Sequence, residues 1–71
     1  MKQYFVIYEK AGENYSAYVP DLPGCIACGD TLDETERLMK TAIELYIEAL
    51  KEEGHAVPEP ATTARPITIA A

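Results

Sequence analysis

Four groups of residues in this 71-residue chain could do chemistry. The first is Cys25-Ile26-Ala27-Cys28. A CxxC pair can shuttle electrons or supply half of a metal site. Thioredoxin-like chemistry wants the motif at the opening of a helix, whereas here it sits in a short strand-like run. Residues three apart in a strand point to opposite faces. No second CxxC exists and His55 is the sole histidine, so a zinc site would need carboxylates or a second chain. The two thiols are read as ordinary and reduced. The second group is Glu9, Asp21 and Asp30. A two-metal nuclease holds its ions between clustered carboxylates. These three fall at strand ends or in loops, where Asp21 and Asp30 are expected to bond nearby backbone amides. The third is His55, directly after Gly54 at the end of a helical pattern, where it is read as structural. No catalytic, cofactor-binding or metal-binding residue is assigned, and the chain is read as a non-enzyme.

The fourth group is Glu44, Glu48 and Glu52. At a spacing of four they form one stripe along a helix, and like charges so placed repel by roughly 0.2–0.5 kcal/mol per pair. Lys51 offsets this partly through Glu48. The bland reading is a solvated face. The functional reading is a docking stripe for a basic partner, with charge complementarity speeding encounter and fixing register. Asp33–Arg37 and Glu36–Lys40 have opposite signs at the same spacing and read as helix support.

One helix must position these groups. Thr31-Leu32-Asp33-Glu34 is a capping box, with the Thr31 hydroxyl at the N-cap and the Glu34 carboxylate three residues on. Leu38, Met39, Ala42, Ile43, Tyr46, Ala49 and Leu50 recur at spacings of three and four, one broad apolar face. Leu45 and Ile47 widen it, so the helix is expected to touch more than one surface. Gly54 stops it, with Pro58 and Pro60 beyond. The helix is placed at about residues 31–53.

Strands are expected at about 2–9, 15–19, 25–28 and 66–70. In the first, Tyr4, Val6 and Tyr8 face one way and Phe5 and Ile7 the other. Gly12 and Asn14 punctuate the hairpin turn. Pro20-Asp21-Leu22-Pro23-Gly24 is a rigid loop leading to Cys25, with two fixed φ angles and a glycine free to take positive φ. Pro66 suits the first residue of a strand, with Ile67 and Ile69 on one face. The order β-β-β-α-β gives a single α+β domain over residues 1–71, a two-layer sandwich. Three strands are antiparallel and the fourth is expected beside the first and parallel to it. One helix covers one sheet face, so Tyr4, Tyr8, Tyr15 and Tyr18 become candidates for self-association on what is left bare. A chain near this size has a small core, which also favours a homodimer or higher homo-oligomer.

The formal charge is −6. The stretch Asp33–Glu53 contributes seven acids against three bases, net −4, and the remainder −2. That balance disfavours direct DNA or RNA binding and anionic membranes. No run approaches the ~20 apolar residues of a membrane span, and no signal peptide is visible. The expected location is the cytoplasm.

Tyr15-Ser16-Ala17-Tyr18-Val19-Pro20-Asp21-Leu22-Pro23-Gly24-Cys25, followed by Gly29-Asp30-Thr31-Leu32-Asp33-Glu34, resembles the HicB antitoxin family. The run Ala42–Leu50 and the tail Val57-Pro58-Glu59-Pro60 agree with it, so the resemblance spans nearly the whole chain. It implies a partial ribonuclease H-like fold of order β-β-β-α-β. It implies binding to HicA, a small basic toxin of double-stranded-RNA-binding-domain type that cleaves mRNA with a histidine, and occlusion of that toxin's RNA-cleaving face. Glu44, Glu48, Glu52 and Asp21 are the candidate partner-binding residues. Many members add a C-terminal DNA-binding domain, which this sequence is expected to lack. Cys28 departs from the shared pattern. The alternative is a non-catalytic oligomeric module that binds another protein or a small ligand, without a cofactor.

Overall fold

The computed structural model describes residues 2–71, in the order β1 (Ile7–Ala11), β2 (Asn14–Tyr18), β3 (Ile26–Gly29), α1 (Leu32–Glu52). The strands form one antiparallel sheet of order β1-β2-β3. Ala11 pairs with Asn14, so the hairpin loop is only Gly12-Glu13. Gly12 has φ of 64°, as the first position of a tight hairpin turn requires. Tyr8 stands opposite Ala17, and Ala17 opposite Ala27, which puts Tyr8, Ala17 and Ala27 on one face.

α1 crosses that face, packing mainly on β3 and less on β2. The core is Ala17, Val19, Leu22, Cys25 and Met39, with Tyr4, Val6, Tyr8, Ala42, Ile43 and Tyr46 half-buried around it. Close helix–strand approach depends on Gly29. A Cβ there would lie 2.6 Å from Thr35 Oγ1 and 3.0 Å from Thr35 N. Thr35 is fully buried, and its hydroxyl donates to the Thr31 carbonyl at 2.7 Å. Thr31 is the N-cap, in extended conformation, and its hydroxyl accepts the Glu34 N–H at 3.1 Å. At the other end Gly54, with φ of 74°, closes a Schellman motif. Its N–H donates to Lys51 and that of His55 to Leu50.

Two expectations are corrected. The first strand begins at Ile7 rather than Lys2. Its ladder ends at the Ile7–Tyr18 pair because β2 stops there. Val19 turns its N–H to the Cys25 carbonyl, and Pro20 has none to offer. Residues 2–6 therefore run on without a partner strand. The fourth strand over 66–70, parallel to the first, does not form. Ile67 and Ile69 are 81% and 73% exposed. The cause is upstream. The tail is fastened at residues 58–62, partly to the β2–β3 loop, and the residues after them are exposed throughout. The Cα radius of gyration is 13.8 Å and the long dimension 48 Å. A compact chain of this length would have a radius near ~11 Å, and a helix of this length spans only about 32 Å.

Candidate partner-binding surface

Glu44, Glu48 and Glu52 lie exposed on the outer side of α1. With a rise of about 1.5 Å per residue, neighbouring members of the stripe sit ~6 Å apart along the axis. Among the described residues none of the three carboxylates has an ion-pair partner. Among the described residues the helix-supporting pairs expected for Asp33–Arg37 and Glu36–Lys40 do not close either: all four side chains are exposed, where such a pair gains little. Beside the stripe, Leu38 is 43% and Leu45 60% exposed. At ~100° per residue both fall on one flank of it, within about 80° of Glu48. The apolar face of α1 is thus wider than the sheet can cover. The product is an acidic ridge with an apolar border, fit to meet a surface carrying Lys or Arg around an apolar patch.

The Pro20–Cys25 loop has a different task. Leu22 is fully buried and Cys25 nearly so. The Leu22 N–H donates to the Val19 carbonyl at 3.1 Å and that of Cys25 to Leu22 at 3.0 Å, folding the loop tightly over the core. Gly24 takes φ of 84°. Tyr46 of α1 donates its hydroxyl to the Pro23 carbonyl at 2.8 Å and ties the helix to the loop. Asp21 does not bond local amides, as turn chemistry would have it. Its Oδ2 accepts the Ala61 and Thr62 N–H groups, each at 3.1 Å, and its Oδ1 accepts the Thr62 hydroxyl at 2.9 Å. Desolvation pushes this carboxyl's pKa up. The bonds from Thr62 and Ala61 outweigh that and hold it below the ordinary value. Asp21 therefore clasps the tail, with both oxygens engaged.

The tyrosines divide. Tyr4 and Tyr8 pack on the helix side against the core, and the pairing of Tyr15 with Gly29 puts it on the same face. Tyr4 also donates its hydroxyl to the Pro58 carbonyl at 2.6 Å. Tyr18 shares the opposite, uncovered face with its partner Ile26, which is 66% exposed, and with Cys28, while Phe5 lines a groove with Tyr4, Val6 and Tyr8. Burial raises the Tyr8 pKa, with a further push from the Glu36 carboxylate. Burial also raises the Cys25 thiol. Cys25 is buried and Cys28 exposed, and both are free thiols. His55 is exposed, its Nε2 3.8 Å from the Glu53 carboxylate. Glu9 is exposed in the middle of β1, opposite Ser16, rather than at a strand end or in a loop as expected, and Asp30 is exposed just after β3. Among the described residues no group of three or more His, Cys, Asp or Glu could hold a metal ion, and no helix is long and apolar enough to cross a membrane. Sequence reasoning missed the Tyr46–Pro23 tie and the Thr62 clasp. A tyrosine within an apolar helix face signals the first, since its hydroxyl needs a partner near the rim of the core. Nothing local signals the second.

Fold and surface together define a small α+β protein of three strands and one helix, with an acidic ridge bordered by exposed leucines on α1. The family described as HicB-like antitoxin of bacterial toxin-antitoxin system matches residues 4–68, and the chain belongs to it. A UPF0150 protein of Synechocystis is 40% identical over 67 residues, 93% of this chain and 85% of that protein. An uncharacterized 14.9 kDa protein of Haemophilus phage HP1 is 39% identical over 56 residues; the match takes 79% of this chain but only 42% of the phage protein. Among solved structures, a chain of the HicA3 and HicB3 toxin-antitoxin complex superposes with a TM-score of 0.72 at 32% identity, over 84% of this chain and 70% of that one. The three antiparallel strands and single helix are thus the architecture of a HicB-like antitoxin.

Proposed function

We propose that this protein neutralises a small basic toxin of HicA type by binding it and covering its RNA-cleaving face, without catalysis of its own. The observation that carries the reading is the exposed ridge of Glu44, Glu48 and Glu52, acidic and without an ion-pair partner among the described residues, bordered by exposed Leu38 and Leu45. Family membership and the likeness to a chain of a toxin–antitoxin complex support it. An RNA-cleaving toxin must present cations to phosphate, and an acidic ridge competes for those same cations. Asp21 is assigned no direct contact, since the tail already occupies its carboxylate.

Co-expression with a HicA-type toxin tests the reading. The wild-type chain restores growth and co-purifies with the toxin. Glu44→Lys with Glu48→Lys restores growth poorly and associates slowly, with a weaker dependence on salt. Absence of both rescue and complex for the wild-type chain would refute the proposal. Unchanged salt dependence in the double variant would move the interface off this ridge.

A further inference from the structure

Three features lie on or lead to one side of the molecule. Among the described residues the outer edge of β1 has no neighbour in the sheet, and residues 2–6 lead into it with no partner strand, touched by the tail only through the side chains of Lys2 and Tyr4. Beside it a groove of about 370 Å³ is lined by Gln3, Tyr4, Phe5, Val6, Tyr8 and Glu36. Tyr4 also lines a second groove of about 380 Å³, which runs on along Ile43, Ile47 and Val57. An unpaired edge next to an apolar trough is a seat for an added strand, whose backbone pairs with the edge while alternate side chains fill the trough. The third feature is residues 63–71. They are exposed throughout, and Ile67 and Ile69, two apart, would stand on one face of a strand.

The arm does not reach its own groove. Asp21 holds Ala61 and Thr62 at the β2–β3 loop, and the chain leaves the body from there. We propose that two copies exchange these arms. Residues 66–70 of each add to the β1 edge of the other, with Ile67 and Ile69 seated in the groove of Tyr4, Val6 and Tyr8. Every copy carries one arm and one seat, so exchange closes a two-fold dimer with nothing left over. Charge favours this occupant in the first groove, where the arm's single charged residue, Arg65, meets Glu36, the groove's single charged lining residue. The two cations of the second groove, Lys2 and Lys51, lie beyond that seat, and Lys2 is paired with Glu59. The seat lies on the flank of α1 bearing Ile43 and Ile47, about 100–140° around the axis from Glu48. The acidic ridge therefore stays open in the dimer, and the inference does not depend on the toxin reading.

Sedimentation and amide hydrogen exchange on the full chain test it. The wild type sediments as a dimer, and the amides of residues 3–6 and 67–70 are protected together. The pair Ile67→Asp and Ile69→Asp, exposed in the single copy and so neutral to its fold, weakens dimerisation by at least about a hundredfold. Protection at both segments then disappears. Ile26→Lys, on the uncovered sheet face, leaves the dimer intact. A wild type that is monomeric with a freely exchanging arm would overturn the proposal and assign the arm to another partner. So would a dimer that survives the double substitution, or one that Ile26→Lys dissociates.

Discussion

Glu48 is the member of the acidic ridge with two neighbours of its own sign, and its neutralisation separates stability from binding. Glu44 and Glu52 each lie ~6 Å away along the helix axis. Two unit charges at that distance repel by about 0.7 kcal/mol in water. A Debye length of ~8 Å at physiological salt roughly halves this. Glu48→Gln therefore relieves about 0.6 kcal/mol of repulsion and forfeits a weak attraction to Lys51, for a net gain of about 0.3–0.5 kcal/mol in the free protein. Its effect on the complex has the opposite sign. Loss of one charge from the ridge slows association with a basic toxin by about two- to fivefold at low salt, and loss of all three by about tenfold or more. The stability change is read by urea denaturation, and the association rate by stopped-flow mixing with a toxin whose catalytic histidine is replaced. Repeating the kinetics across a salt series separates the charge effect from any loss of packing. If the triple Gln variant gains stability as expected but associates at the wild-type rate at every ionic strength, the ridge is a solvated face and the docking argument fails.

Other outcomes follow from the interior. Gly29→Ala drives a methyl against Thr35 backbone as well as its hydroxyl, and is expected to cost about 1–3 kcal/mol in urea denaturation. Adding Thr35→Ala should recover only part of this, since the main-chain contact at 3.0 Å remains. Leu22→Ala should cost about 2–5 kcal/mol, a large share of the roughly 4–11 kcal/mol expected of a domain this size, and show as a lowered urea midpoint. Thr31→Ala should cost about 1 kcal/mol and fray the first turn of α1, read by exchange of the Glu34 amide. The folded-state pKa of Asp21 lies below its unfolded value of 3.8, so the clasp's stabilisation is present above that pH and fades as pH falls through the folded value. Tyr8 and Cys25 are shifted upward, so their share is full below the unfolded values of 10.0 and 9.0 and is lost as pH rises through the folded ones. Exchange of the Thr62 amide should accelerate in acid before the core opens, and Asp21→Asn should abolish that acid step.

What could be read in advance was whatever short-range chemistry decides. Gly12 set the hairpin, Thr31 and Gly54 set the ends of the helix, and the spacing of acids set the ridge, each within a few residues of its effect. Tyr4, Val6 and Tyr8, which the alternation groups together, all pack against the core, although Phe5 lines the same groove as they do. The failures lie where a partner distant in sequence decides. Ile67 and Ile69 have strand character, but a strand also needs an edge to pair with, and the tail is diverted before it reaches one. The loop of two prolines and a glycine reads as a turn. Its role as the plug of the core appears only once Leu22 is seen beneath it, with Tyr46 and Thr62 closing over its outer side.

This division also explains how so short a chain can carry a self-repelling surface. Its fixed contacts lie on the inner side of α1 and under one loop: Thr35 against Gly29, Met39 and Leu22 in the core, Tyr46 on Pro23. None of them involves the outer carboxylates. The repulsion along the ridge costs a few tenths of a kcal/mol per pair, and the inner contacts, each worth one to several, exceed it. A partner that supplies positive charge removes this penalty and gains attraction in the same step. The ridge is therefore less favourable in the free protein than in a complex with a basic partner, which is the thermodynamic condition that the proposed docking requires.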